Sequence, residues 1–214
     1  MSKYILGDDI VLPSDADKGI RGGTSASNDW EWDDLKGIWL PFAAGAGRPA
    51  LSAWKGGIDA FKFAAGDKVT MVFHIGHDWV PNHDCHIHVH WDHQGTAISG
   101  SLVCDLELSY AKGHDQANFG ANVIPQVSVS TPDISTIPQG RHRIDEVQLS
   151  AASPSASQLD SNNIEPDGLV IGTFTATTVP AVTGGNGGPF IHHVDIHYQS
   201  RGRGSKNRTF PFYS

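Results

Sequence analysis

The sequence predicts an all-β protein: an antiparallel β-sandwich of jelly-roll type with a long irregular N-terminal arm. Three observations lead there. Charged residues make up only 18% of the 214, while Gly (24), Pro (12), Ser and Thr are abundant, a composition of short strands joined by turns. No window sustains a helical period, whereas several stretches alternate apolar and polar residues with period two. Long polar connections, with no helical crossovers between them, favour antiparallel pairing. The length suits a single sandwich, and a globule this size buries roughly 70% of its unfolded surface. We divide the chain into a Trp-rich arm (1–65), a sandwich domain (66–200) and a basic, aromatic C-terminal tail (201–214).

Residues 1–65 alternate poorly yet hold four of the six tryptophans, Trp30, Trp32, Trp39 and Trp54. Large aromatics need burial to offset the entropy lost on ordering, so the arm is expected to pack on its own domain or on a neighbouring subunit. Ser52 to Lys62 is a candidate short helix, weakened by Gly56 and Gly57. From Asp67 the pattern becomes strands: Val69, Met71, Phe73 and Ile75 share one face, and the loop HDWVPNHD follows. Asp84 to His93, DCHIHVHWDH, comes next. In an extended strand Cys85, Ile87, Val89 and Trp91 fall on one side and His86, His88, His90 and Asp92 on the other.

After Gln94 to Gly100 the run SLVCDLELSYAK places Leu102, Cys104, Leu106, Leu108 and Tyr110 on one face and Asp105, Glu107 and Ser109 on the other. Paired as a hairpin, these two strands would set Asp105 and Glu107 beside His86, His88 and His90. Later strands are expected at 121–129, 141–150 and 169–178, the last two separated by a polar surface loop. The final strand, 189–199, has Phe190, His192, Val194, Ile196 and Tyr198 on its more apolar side and His193, Asp195, His197 and Gln199 on the polar side.

Two readings of the histidine face stand side by side. Adjacent His-x-His residues can converge on one zinc, with a third ligand from His193, Asp195 or His197 if the last strand lies alongside. His86 and His90 are too far apart for all three to serve one ion, so the metal candidates are subsets of His86, His88, His90, His193, Asp195 and His197. The other reading, which we favour from sequence, is a polar seam of His, Asp and Glu with no metal or other cofactor, covered by a loop, an arm or a neighbouring subunit. His77 and His83, flanking the loop with Trp79, are loop anchors more than acid and base candidates, and His114 and His142 are read as surface residues. No nucleophile elbow or Gly-rich helix start is present, so no catalytic residues and no enzyme are expected.

The formal net charge of −8 argues against nucleic-acid binding, and the cluster Arg201, Arg203, Lys206 and Arg208 reads as a partner-docking arm. No apolar run reaches membrane-spanning length and MSKYILGDD lacks the features of a signal peptide. Cys85 and Cys104 are expected as free buried thiols.

FHIGHDWVPNHDCHIHVHWDH (Phe73 to His93), VDIHYQ (Val194 to Gln199) and the terminal TFPFYS (Thr209 to Ser214) together resemble a family of tailed-bacteriophage virion proteins. Its members carry a PHDW- or PHNY-like loop, an HxHxHW strand and a late DIHYQ strand; here Gly76 stands where the loop has proline. The resemblance covers a minority of residues, in the right order from Phe73 onward. It implies an accessory structural component without catalysis: a head decoration (cement) protein on the capsid exterior, or a tail or receptor-binding component. A cupin-like metalloenzyme is a further alternative. As a decoration protein the chain would be a homotrimer gripping the major capsid protein through Trp30, Trp32, Trp39 and Trp54 of the arm, His77 and Trp79 of the loop, and Arg201 and Arg203 of the tail.

Overall fold

The computed structural model describes residues 31–40, 47–130 and 132–201. They form β1 (Glu31–Lys36), β2 (Ile38–Leu40), β3 (Ala50–Lys55), β4 (Ile58–Lys62), β5 (Lys68–His74), β6 (His86–Asp92), β7 (Ala97–Ser99) and β8 (Ser101–Ala111). β9 (Gln126–Ser130), β10 (Arg143–Gln148), β11 (Ser150–Ala151), β12 (Leu159–Asp160), β13 (Leu169–Thr178), β14 (Ala181–Thr183) and β15 (Phe190–Ser200) follow. Only two short 3-10 turns break the all-β pattern among the described residues.

Two main antiparallel sheets face one another. One runs β10-β6-β15-β4-β3, with β1 also paired to β15; the other runs β2-β5-β13-β8-β9. Alternation decides what each face meets. Ile87, Val89 and Trp91 of β6 and Val194 and Ile196 of β15 pack against Met71 and Phe73 of β5, Leu106 and Leu108 of β8, and Val170 and Phe174 of β13, all fully buried. Cys85 and Cys104 are free and buried in this core, as expected, and burial raises both thiols, Cys85 to about 12, so neither offers a thiolate.

Four features of the structure correct the sequence expectations. First, β6 and β8 do not form a hairpin. The connection between them contains β7, which pairs with β14, and the chain thereby passes to the opposite sheet. Asp105 and Glu107 consequently lie on the outer face of that sheet, bonded to Gln126 and Asn122, far from the histidines. Second, residues 31–40 and 50–62 are not an irregular arm: they supply β1 to β4, which join both sheets. Gly37 makes the switch between sheets, since a Cβ there would lie 2.6 Å from the Phe73 ring and 3.1 Å from the Val194 carbonyl. Residues 1–30, including Trp30, lie outside the described residues, as does the tail beyond Arg201 with Arg203.

Third, the candidate helix at 52–62 is the β3–β4 hairpin, its tip formed by Gly56 at φ +60 and by Gly57. Both favour a tight turn for the reason that they weaken a helix. Fourth, β15 carries a bulge between Ile191 and His193. The extra residue turns His192 out of the apolar side assigned to it and toward Asp92, with Nε2 3.4 Å from a carboxylate oxygen.

Candidate functional site

β6 lies between β10 and β15, so its polar face becomes the middle row of a three-strand patch. His90 is opposite Ile144 and His193, His88 opposite Glu146 and Asp195, and His86 opposite Gln148 and His197. β1 extends the patch, with Asp34 opposite His197. The last strand therefore does run beside the histidine strand, the condition that the sequence set for a third ligand.

Asp195 is the centre of this patch and is 1% exposed. Imidazoles surround it: His90 Nε2 lies 2.9 Å and His193 Nε2 3.2 Å from Oδ2, and His88 Nδ1 lies 3.5 Å from Oδ1. None of these approaches has the alignment of a hydrogen bond, so both Asp195 oxygens and His90 Nε2 are buried without one. Among the described residues its ion-pair partners are imidazoles alone.

The far nitrogens of the same histidines are, by contrast, engaged. His88 Nε2 is 3.1 Å from Glu146 Oε2, and His90 Nδ1 is 2.9 Å from His142 Nε2. His90 also stacks between rings, 3.8 Å from the His193 centroid and 5.0 Å from that of His142. Burial, reinforced by His193 and His142, pushes His90 down to about 4, and burial together with Asp34 pushes Asp195 up to about 7. His88 and His193 are also lowered, chiefly by burial. Burial at the centre of the patch thus disfavours the charged form of His88, His90, His193 and Asp195.

Two sets of groups bring their ligand atoms within 4.8 Å of one another: His88, His90 and Asp195, and Asp34, His88 and His197. His86 joins neither; it meets Trp32 at 6.0 Å and lines a shallow hollow with His83, Asp84 and Gln199. His193 reaches Asp195 but belongs to neither set. Sequence reasoning did not find Asp34, His142 or Glu146. Glu146 sits in RIDEVQ, where Ile144, Glu146 and Gln148 share a face, but nothing local told which strand would lie beside it.

The remaining expected interface residues take varied places. Trp32 is half exposed and stacks on His197 at 4.7 Å, interplanar angle 3°. Trp39 packs edge-on to Phe63, and Trp54 donates to the Asp92 carboxylate at 2.9 Å. Trp79, expected at an interface, is 1% exposed and stacks on Tyr198 in the core. Its loop is tied down by Asp78, which accepts from Tyr198 and Ser200, and the Asp78 carbonyl accepts from the Arg201 amide. His77 and His114, the latter exposed as expected of a surface residue, both bond Asp167, at 3.0 and 2.7 Å.

No described helix is long and apolar enough to cross a membrane. No family model matches the chain, and neither does any curated protein or solved structure.

Proposed function

We propose that the chain is a bacteriophage capsid decoration protein, a non-catalytic component that binds the assembled major capsid protein on the outside of the head and stabilises it, most economically as a trimer of jelly-roll-type sandwiches. The observation that carries this reading is the set of exposed apolar side chains on the β3–β4 hairpin and on β2, the edge strand of the other sheet. Leu51 is 64% and Ile58 59% exposed. Leu51 stands directly opposite the exposed Phe61, whose ring stacks at 6.2 Å on Trp39 of β2, and Ile38 and Leu40, on the outer face of that strand in the other sheet, are exposed too. Exposed apolar side chains at this density mark a place where another protein sits. The motifs shared with tailed-phage virion proteins supply the partner, and an assembled shell presents many copies to which a weak contact can add up.

Leu51→Asp together with Ile58→Asp tests the contact. Both side chains are largely in water, so the variant is expected to keep the wild-type melting temperature while failing to pellet with assembled shells. Undiminished binding by the folded variant overturns the docking surface. Copy number and position on the particle test the assignment itself, because a decoration protein is present in many copies over the head, and a few copies at one vertex would place the chain in the tail.

A further inference from the structure

We propose that His88, His90 and Asp195 bind a single divalent first-row transition ion, zinc in the first instance, which pins β6 to β15. This goes beyond the docking role and does not depend on it. The first ground is an orphaned carboxylate. A buried carboxylate is normally held by aligned donors or by a paired cation. Asp195 is buried with neither oxygen accepting a hydrogen bond, and His90 Nε2 is equally unmatched although only 2.9 Å away. A polar seam satisfied by its own hydrogen bonds would show N–H groups aimed at those oxygens. Atoms that converge without alignment suit a third body placed between them.

The second ground is the orientation of the rings. A metal-bound imidazole commonly donates its other N–H to a carboxylate or similar acceptor, which fixes the tautomer and leaves a lone pair for the ion. His88 has this arrangement: an ionised Glu146 can only accept, so the proton belongs on Nε2, and Nδ1 faces Asp195. In His90 the Nδ1 contact to His142 Nε2 leaves Nε2 facing the same carboxylate.

The donor set then selects the ion. Two imidazole nitrogens and one carboxylate oxygen suit Zn²⁺ and its first-row neighbours, whereas Ca²⁺ and Mg²⁺ prefer all-oxygen sites and Cu(I) prefers sulfur. Three protein ligands leave at least one position for water. The two strands that supply the ligands are already neighbours in the sheet, so the ion would reinforce a pairing rather than create it.

The test uses the full chain, stripped with dipicolinate and titrated with ZnCl2 by calorimetry, with melting temperature followed in parallel. Expected are one high-affinity equivalent per chain and, at a hundredfold excess over Kd, a rise in Tm of roughly 5–10 °C. Asp195→Asn keeps the shape of the side chain and is expected to abolish both. Glu146→Ala, at an exposed residue that leaves folding intact, is expected to weaken binding by about 10-fold through loss of the ring-orienting contact. Co²⁺ in place of zinc should give the intense visible absorption of a four- or five-coordinate site. No zinc binding by the folded wild-type chain overturns the proposal. Wild-type affinity and Tm rise in Asp195→Asn and Glu146→Ala would equally overturn it, since the zinc would then be on other surface histidines.

Discussion

The indole of Trp54, on the β3–β4 hairpin, donates to the carboxylate of Asp92, the last residue of the histidine strand, lying 2.9 Å from each oxygen. Asp92 is almost fully buried and also accepts from Gln94 at 2.7 Å, so the N-terminal hairpin is anchored through a satisfied, shielded charge. Trp54→Phe keeps the ring and its edge contact with His192 but removes the donor. The variant is expected to lose about 1–3 kcal/mol in urea unfolding, in the range for a buried charged acceptor deprived of one partner.

A second tie closes the opposite side of the same sheet. Asp145 accepts from the Nε1 of the fully buried Trp91 at 2.7 Å and receives Arg143 through both Nε and Nη2. Asp145→Ala would strand the indole N–H inside the core and release the guanidinium, for an expected cost of about 1–3 kcal/mol. Arg143→Met, which spares the indole bond, should cost less; an equal loss in the two variants would mean that the Trp91 bond contributes little.

Gly37 offers a steric test. Gly37→Ala forces a methyl group against Phe73, itself fully buried, at the point where the chain crosses between sheets. Overpacking of this kind costs about 1–3 kcal/mol. A companion Phe73→Leu substitution, which shortens the ring that is struck, is expected to recover part of the loss, as a double-mutant cycle would measure.

Acid stability should respond to Asp167. Its partial burial raises its pKa, but the His114 hydrogen bond and the His77 contact outweigh this and hold the carboxyl below its ordinary 3.8. A depressed carboxyl stabilises the folded state fully above the unfolded value and loses that contribution as pH falls through the folded one. Wild type is therefore expected to exceed Asp167→Asn in urea midpoint at neutral pH, and the gap to close below about pH 4. Asn tolerates the backbone at this position, where φ is +59, so the comparison isolates the charge. A gap that is constant from neutral to strongly acid pH would remove the carboxylate from the account.

Much of the fold was legible because alternation reports faces faithfully. The ends of β13 and the inward set Ile87, Val89 and Trp91 of β6 lie where period two placed them. Pairing was less legible, for a physical reason. Two strands can bring apolar faces together side by side in one sheet or face to face across a core, and their alternation is the same in both cases. β6 and β8 are of the second kind, so Asp105 and Glu107 were assigned to the wrong neighbourhood, while β15 was correctly suspected as the partner of the histidines. The bulge did leave a trace: Ile191 and Val194, both buried, are three apart with two histidines between them, a break in period two. Asp34 left none, because the segment around it alternates weakly and is recruited by β15 from far away in sequence.

The passage of the chain from β1 into β2 has a temporal side. β1 pairs with β15, and His197 bonds Asp34 across 163 residues, whereas β2 pairs with β5 only some thirty residues on. Contacts between such distant segments close slowly because loop entropy is lost before they form. During synthesis β2 can therefore dock early, but β1 has no strand to join until residue 200 has left the ribosome. Until then the edge of β6 that β15 will cover stays open, and its polar row waits for the strand bearing Asp195. The first described strand and the last complete the sheet together, so a chain stalled before β15 would display a half-built histidine face to any chaperone or neighbouring chain within reach.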